Sequence, residues 1–321
     1  MDLDSTGVRA PEFPVGLTWL NCDPLSLEHL KGKVVLIDFW TYSCINCQRT
    51  LPYLRAWHEK YKNSGLIIIG VHSPEFDFEK QEENVKEALK KYDVNWPVVL
   101  DNQMKIWGSF GNNYWPAKYL INHESKIIFT HFGEGNYVET ELKIQEALRE
   151  AGPPAGRAGF KVPSTVGGGE DLKLQTGQTP ELYFGSLRGQ VINVPQDISI
   201  KKDQIYTIGE WKLEPEYLQH ARITKDLDDL VILSYSGKDM FVVMSTENQE
   251  QVKVYITLDG IGLNDSNMGR DVKFDSAGRS FLEVKFSTLY HVISTLNFGD
   301  HVFRLSTTSD KLRLHAFTFG G

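Results

Sequence analysis

Two of the chain's three cysteines, Cys44 and Cys47, are separated by two residues in the segment DFWTYSCINCQRTLPYL. Cysteines at this spacing hold a metal ion, lie inert in a core, or form and break a disulfide bond with each other. A structural zinc site needs two more ligands, and neither Cys22 nor the nine histidines supply a matching pair pattern. The surroundings favour redox chemistry over the zinc and core alternatives, and Cys22 is expected to be a bystander.

The position of Cys44 predicts an asymmetric pair. Cys44 follows the apolar run KVVLIDFW, residues 33–40, which predicts a strand buried on both faces, and it begins a segment with helical spacing. The free N–H groups and the dipole of a helix N-terminus stabilise an anion, so they favour a thiolate, which is the attacking species. Cys47 lies one turn further on, where it is less exposed and can act as the resolving sulfur.

Strands and helices alternate in the first half of the chain. The predicted strands after the first are residues 65–72, 97–101, 117–122 and 126–133, and the predicted helices after the first are residues 78–94 and 139–151. This alternation is typical of a layered α/β domain.

The composition changes near residue 150. Residues 151–180 are rich in Gly, Pro, Ser and Thr, which is typical of a linker. Residues 181–321 contain short β-branched and aromatic runs about ten residues apart, which predict an antiparallel sandwich or jelly roll. Four of these predicted strands are residues 229–237, 239–245, 289–295 and 300–309. The predicted organisation is therefore an α/β domain over residues 1–150, the linker, and an all-β domain over residues 181–321.

Composition and charge exclude several classes of function. The 321 residues are enough for two domains, and the net charge of -8 argues against a nucleic-acid surface. No run of 18 apolar residues predicts a membrane span, and the N-terminus lacks signal-peptide features. The chain is expected to be cytoplasmic if it is complete as written. It is expected to be extracytoplasmic, in the periplasm or cell envelope, if it is part of a membrane protein. No cofactor or metal is expected.

The segment VVLIDFWTYSCINCQRTLPYL resembles the active-site segment of the thioredoxin superfamily. Asp38, six residues before the first cysteine, matches the buried carboxylate of that superfamily, and Trp40 matches the tryptophan beside the active site. Trp115-Pro116 fits the cis-proline that faces the disulfide. The stretches APEF, LKGKVVLIDFW and YDVNWPVVLD resemble the TlpA/ResA-like branch, in which Glu75 fits a glutamate near the disulfide.

Nearly the whole chain resembles the C-terminal region of DipZ-type proteins. These proteins join a CcdA-like membrane electron carrier to an extracytoplasmic thioredoxin-like domain and a β domain similar to carbohydrate-binding modules. The resemblance implies a thiol–disulfide oxidoreductase acting on protein disulfides or dithiols, with a CcdA-type electron donor and a glycan ligand for the β domain. The intervening pair Ile45-Asn46 brings no charge, which indicates a reductant or an intermediate and not a strong oxidant.

Each predicted site residue has a structural alternative. Asp38 is expected to accept a proton from the resolving cysteine, with its pKa raised by burial, or to be a satisfied structural carboxylate. Glu75 is either part of the site or an ordinary loop residue. Trp40 and Trp115 either line a substrate groove or simply pack, and Pro116 is expected to present the substrate backbone.

Two rival functions remain. Thr41 and Cys44 satisfy the T-x-x-C pattern of thiol peroxidases of the peroxiredoxin kind, although Ile37 stands where that family has proline. Alternatively, the chain is a glycan- or envelope-binding protein with a vestigial redox domain. In that case Tyr183 or Trp211 could stack on sugars, the alternative for both being ordinary packing.

Overall fold

A computed structural model describes residues 7–152, 176–195 and 199–320. The chain divides into two compact units, one ending at residue 172 and the other beginning at residue 173. Most of the predicted linker, residues 151–180, lies outside the described residues. Within the described ranges, no helix is long and apolar enough to cross a membrane.

Strands and helices alternate along the first unit, as the sequence predicts. In chain order they are β1 (Trp19–Leu20), β2 (Val34–Trp40), α1 (Ile45–Tyr61), β3 (Leu66–His72), α2 (Glu82–Lys91), β4 (Val98–Leu100), α3 (Lys105–Ser109), β5 (Ala117–Ile121), β6 (Ile127–Phe132) and α4 (Tyr137–Ala151). The described strands form one sheet in the order β1-β4-β3-β2-β5-β6. Strands β2, β3 and β4 run parallel, and the other pairs are antiparallel.

Strand β2 is buried along its whole length because both faces of the sheet are covered. Val35, Ile37 and Phe39 face a core that includes Phe110, just after α3. Alternate residues of a strand point to the opposite face, where α1 packs on β3 and α4 packs on β2. Asp38 belongs to this second face. Its carboxyl group therefore enters the layer beneath the helix that carries Cys47.

The predicted helix at residues 78–94 is shorter than expected. A separate 3₁₀ turn, Asp77–Lys80, comes first, and α2 begins two residues after it ends. The Glu79 side chain explains the break, because it folds back and accepts hydrogen bonds from the backbone N–H groups of Glu75 and Phe76 at 2.6 and 3.0 Å. Such a cap satisfies the free backbone N–H groups at the start of the short turn and separates the turn from the following helix.

The second unit is all β in its described part, which confirms the predicted class. In chain order its strands are β7 (Leu182–Tyr183), β8 (Val191–Asn193), β9 (Ile205–Ile208), β10 (Trp211–Leu213), β11 (Leu218–His220), β12 (Leu230–Thr246), β13 (Val252–Leu258), β14 (Ile261–Gly262), β15 (Lys273–Phe274), β16 (Ser280–Val284), β17 (Thr288–Thr307) and β18 (Leu312–Gly320). The main path of the sheet is β10-β11-β18-β12-β17-β13-β16-β15. Its pairs are antiparallel except for β8 with β9.

Two strands of this sheet are longer than the sequence predicts. Strand β12 joins the runs 229–237 and 239–245, which the sequence predicts as separate strands, and β17 joins two runs in the same way. The two strands pair along their lengths, Gly237 lies opposite Gly299, and the register shifts just after Gly237. A bulge bends a strand without ending it. These glycines therefore mark bends where the sequence suggests turns.

Candidate active site: the Cys44–Cys47 pair

Cys44 and Cys47 lie at the start of α1, just beyond the end of β2. Cys44 is the N-cap residue, with extended backbone angles (φ -81°, ψ 118°), and its Sγ accepts a hydrogen bond from the backbone N–H of Cys47 at 3.3 Å. Cys44 is partly exposed, whereas Cys47 is buried. This is the difference in burial that the sequence predicts, with a reachable sulfur at the helix N-terminus beside a shielded one.

Burial raises the pKa of the Cys47 thiol well above its ordinary value, and its hydrogen bond with Cys44 adds to the effect. The negative charge of Asp38 acts in the same direction. A thiol in these surroundings keeps its proton near neutral pH. Near neutral pH, Cys47 therefore becomes a nucleophile when a neighbouring group takes its proton.

Asp38 is the carboxyl group with which Cys47 interacts. Its side chain is 1% exposed, and its Oδ1 has no hydrogen-bond partner among the described residues. Burial raises the pKa of Asp38 to about 7, although the positive charge of Lys118 opposes the rise. A carboxyl group with this pKa gains and loses a proton near neutral pH, as an efficient general base does.

Lys118 is a site residue that the sequence reasoning missed. It is completely buried in β5 and lies directly opposite Asp38 in the pairing of β5 with β2. Burial lowers the pKa of Lys118, and the charges of Asp38, Cys47 and Glu134 oppose this. The sequence places Lys118 in a predicted strand, but the partner across the sheet depends on a strand register that the sequence does not reveal.

Glu79 is a second buried carboxyl group that was missed. It accepts a hydrogen bond from Ser43 Oγ at 2.5 Å as well as the two backbone bonds of its own turn. Burial, helped by the charge of Glu75, raises the pKa of Glu79 to about 7, and hydrogen bonds from Ser43 and Thr41 oppose the rise. The predicted Glu75 is only half-buried. Glu79 thus ties the residues before Cys44 to the 3₁₀ turn.

Trp40 is buried, at 1% exposure, and does not reach the surface. Its ring packs edge-on against His72, with centroids 5.3 Å apart and an interplanar angle of 86°. Gly70 makes room for it, because a Cβ at that position would lie 2.9 Å from Trp40 Nε1. These contacts favour packing, the structural alternative for Trp40, over a place in a substrate groove.

Trp115 differs from Trp40 because it is partly exposed. The Trp115-Pro116 peptide bond is cis, as expected. The Trp115 indole N–H donates to the carbonyl oxygen of Ser73 at 2.9 Å, and its ring packs on Trp107 at a centroid distance of 4.2 Å. The neighbouring Tyr114 is exposed as well, so Trp115 and Tyr114 both present aromatic surface beside Pro116.

Comparisons with known proteins cover both units. The AhpC/TSA family model matches residues 6–130, and a model described as a thioredoxin-like C-terminal domain matches residues 179–320. The thiol-disulfide oxidoreductase ResA of Bacillus cereus is 33% identical over 140 residues, which are 44% of this chain and 77% of ResA. The chain belongs to the ResA family of thiol-disulfide oxidoreductases. The family assignment confirms the predicted enzyme class.

Protein DipZ of Mycobacterium tuberculosis is 37% identical over 262 residues, which are 75% of this chain. The chain spans 36% of the length of DipZ. Among solved structures, a thiol-disulfide isomerase from Corynebacterium glutamicum is 24% identical with a TM-score of 0.39, and the match covers 43% of this chain and 96% of that one. The similarity to ResA and DipZ confirms the resemblance seen in the sequence.

Proposed function

We propose that this protein reduces disulfide bonds in protein substrates by dithiol exchange, and that residues 1–150 carry the reaction. The observation that carries the proposal is the arrangement of Cys44, Cys47 and Asp38. One sulfur is reachable at the N-terminus of α1, the other is buried, and a carboxyl group with a pKa of about 7 acts on the buried one. Disulfide exchange needs a nucleophile, a resolving thiol and a proton acceptor, and these three groups supply them in that order.

In the first step the Cys44 thiolate attacks one sulfur of the substrate disulfide. The substrate S–S bond breaks, and a mixed disulfide forms between Cys44 and the substrate. The other substrate sulfur leaves with the bonding electron pair and takes a proton from water. The N-terminus of α1 stabilises the attacking anion, because unsatisfied N–H groups and the helix dipole meet there.

In the second step Cys47 resolves the mixed disulfide. The Cys47 thiol gives its proton to the Asp38 carboxylate, and the resulting thiolate attacks Cys44 Sγ. The bond between Cys44 and the substrate breaks, the substrate leaves as a thiolate that takes up a proton, and the enzyme holds a Cys44–Cys47 disulfide. Two electrons have then moved from the enzyme to the substrate, and a dithiol donor has to return them.

Substrate binding is assigned to the surface beside Pro116. The proline is proposed to present an extended substrate backbone, and Trp115 is proposed to contact the side chains that flank the substrate disulfide. Glu75 is proposed to act near this surface, where it also raises the pKa of Glu79. Glu79 itself is proposed to position the residues that precede Cys44.

The direction of electron flow, the donor and the compartment are further parts of the proposal. The uncharged Ile45-Asn46 pair supports a reductive role, and the similarity to DipZ supports an extracytoplasmic location with a CcdA-type membrane donor. The reduction potential, measured by equilibration with dithiothreitol mixtures, is expected to lie below about -200 mV. A value of about -120 mV, as in strong oxidants, would contradict the reductive role.

Trapping of partners tests the assigned roles of the cysteines. Cys47→Ser should accumulate mixed disulfides through Cys44, because the nucleophile remains and the resolving thiol is gone. Cys44→Ser should form few or none, and the control Cys22→Ser should keep full activity. The measurement is non-reducing electrophoresis followed by mass spectrometry of the linked peptides. If Cys44→Ser traps partners equally well, or if Cys22 is found in the links, the roles are wrong.

The match to the AhpC/TSA family model favours a thiol peroxidase as the second candidate. Thr41 of the T-x-x-C pattern is buried, and its hydroxyl lies 3.4 Å from His72 Nε2. The hydroxyl of Thr41 therefore already has a partner inside the fold. Rapid consumption of hydrogen peroxide by the reduced protein, beyond that of dithiothreitol alone, would establish the peroxidase in place of the reductase.

A glycan ligand for the β domain stays a prediction that rests on the resemblance to carbohydrate-binding modules. The Arg188 guanidinium lies over the Tyr183 ring, 3.8 Å from its centroid. The Trp211 ring packs against the His220 ring, with the two centroids 4.9 Å apart. These contacts favour packing over sugar stacking for both residues. Binding of the full chain to a glycan array that survives loss of both active-site cysteines would support the binding-protein alternative.

A further inference from the structure

Lys118 is a buried lysine to which the two-step mechanism gives no role. Its side chain is fully buried in β5, and lysine is almost never fully buried unless it is paired. Lys118 lies directly opposite Asp38 across the antiparallel pair of β5 and β2. Residues in such a pair point to the same face with Cβ atoms about 5 Å apart. The two oppositely charged side chains therefore share one pocket.

Groups from several elements act on Lys118. Asp38 faces it from β2, Cys47 from α1 and Glu134 from the segment before α4, and each favours the charged amino group. Its Nζ lies 5.7 Å from the centre of the Tyr137 ring in α4, which also favours a cation. Within the described residues Nζ has no hydrogen-bond partner. The amino group thus acts on its neighbours through its charge, and this effect is strong where water is excluded.

The main effect of Lys118 is on the Asp38 carboxyl group. Burial favours the neutral carboxylic acid, and the positive charge of Lys118 favours the carboxylate. Without that charge burial acts alone, so the pKa of Asp38 rises further and the group already holds a proton at neutral pH. A protonated Asp38 cannot take the proton of Cys47, and the resolving step slows.

We propose that Lys118 is a positioning residue that keeps Asp38 ionised until the resolving step, an inference that rests on the dithiol mechanism proposed above. Lys118 gives up no proton. The proton moves from Cys47 Sγ to the Asp38 carboxylate, the Cys47 thiolate attacks Cys44 Sγ, and the substrate sulfur leaves with the bonding pair. The Lys118 charge stabilises the Asp38 carboxylate before the transfer and the Cys47 thiolate during it.

The substitution Lys118→Met tests the proposal, because it removes the charge and keeps most of the volume. The measurement is the single-turnover rate at which the prereduced full chain reduces insulin, from about pH 5.5 to about pH 9.5. We expect the pH at which the rate reaches half of its maximum to increase by about one pH unit. The variant should be about fivefold slower at pH 7 and nearly equal to the native protein near pH 9. A merely structural role would lower the rate equally at every pH.

Two matched variants sharpen the test. Lys118→Arg keeps the charge and should keep the native pH profile. In an Asp38→Asn background, Lys118→Met should cause a smaller shift than in the native background, because the carboxyl group on which Lys118 mainly acts is gone and only its effect on Cys47 remains. An unchanged profile in Lys118→Met, or a full shift in the double variant, would overturn the proposal. If Lys118→Met fails to fold, Lys118→Gln takes its place, and the Asp38 carboxyl is titrated directly by ¹³C NMR.

The Cys44→Ser variant separates this inference from the proposed function. If Cys44→Ser still reduces insulin, the dithiol mechanism itself is wrong. If Cys44→Ser is inactive while Lys118→Met and Lys118→Gln keep the native profile, the dithiol mechanism stands and only the role of Lys118 is wrong.

Discussion

Asp38 in the first unit and Asp229 in the second are equally buried carboxyl groups in opposite surroundings. Their side chains are 1% and 2% exposed. Asp229 accepts hydrogen bonds from Arg222 Nε and Nη2 at 2.8 and 2.7 Å and lies 2.9 Å from His220 Nε2. Asp38 Oδ1 has no hydrogen-bond partner among the described residues. Burial raises the pKa of Asp38 to about 7, whereas hydrogen bonds from Arg222 and His220 lower that of Asp229 to about 2.

The difference shows that burial makes electrostatic interactions strong, whereas the neighbouring groups decide whether the pKa of a buried carboxyl group rises or falls. Donors around Asp229 hold it as a permanent carboxylate, which suits a fixed structural link. No described residue donates a hydrogen bond to Asp38 Oδ1, which leaves a group that can change protonation near neutral pH and therefore suits proton transfer. Glu79 combines features of both carboxyl groups. Its pKa is raised to about 7, like that of Asp38, although it accepts hydrogen bonds from Ser43 and two backbone N–H groups.

The largest expected effect is on the rate of disulfide reduction. Asp38→Asn should slow the reaction about 100-fold at pH 7, since Cys47 loses its proton acceptor. The loss should shrink at higher pH, where hydroxide deprotonates Cys47 directly. Asp229→Asn is the matched control and should reduce insulin at the native rate. An unchanged rate for Asp38→Asn between pH 6 and pH 9 would return Asp38 to a structural role.

The next effect is on the stability of the second unit. Asp229→Asn should destabilise it by about 3 kcal/mol, because the buried His220 loses its buried carboxylate partner. Hydrogen–deuterium exchange of the full chain should report faster exchange in β10 to β12, with Asp38→Asn as the control. Exchange equal to that of the native protein would mean that the contacts of Asp229 with His220 and Arg222 add no net stability.

A smaller effect is expected in the pH dependence of stability. The pKa of Asp38 is 3.8 in the unfolded chain and about 7 in the folded one. The folded state therefore binds more protons between these values and loses stability as the pH rises through them. Asp38→Asn removes this loss. Its free energy of unfolding, measured relative to that of the native protein, should therefore be about 2 kcal/mol higher at pH 8 than at pH 5. The measurement is hydrogen exchange of β2 and α1 at both pH values. A native-like decline in the variant would assign the pH dependence to other groups.

The smallest effect is expected at Glu79. Glu79→Gln keeps an oxygen for the backbone N–H groups and an amide that can donate to Ser43, so it should cost about 1 kcal/mol. The rate of insulin reduction should stay within about threefold of the native rate. A tenfold loss of rate, without a comparable loss in thermal stability, would show that Glu79 also takes part in proton transfer.

The sequence by itself determined the features that depend on near neighbours in the chain. A strand-like run ending just before Cys44, and helical spacing after it, place the first cysteine at a helix N-terminus and the second one turn inside. Helix capping and side-chain periodicity are local properties, so they can be read from consecutive residues. For the same reason the alternation of strands and helices in the first unit and the all-β class of the second were predicted correctly.

The tertiary structure decided which distant residues surround the cysteines. Strand register brings Lys118 opposite Asp38, and a fold-back of the chain buries Glu79 where the sequence suggested Glu75. Packing also removes Trp40 from the surface, and bulges turn predicted breaks into continuous long strands. These outcomes depend on contacts between segments that lie tens of residues apart. A shift of one residue in register would turn Lys118 to the other face of the sheet, and nothing local in the sequence prevents that shift.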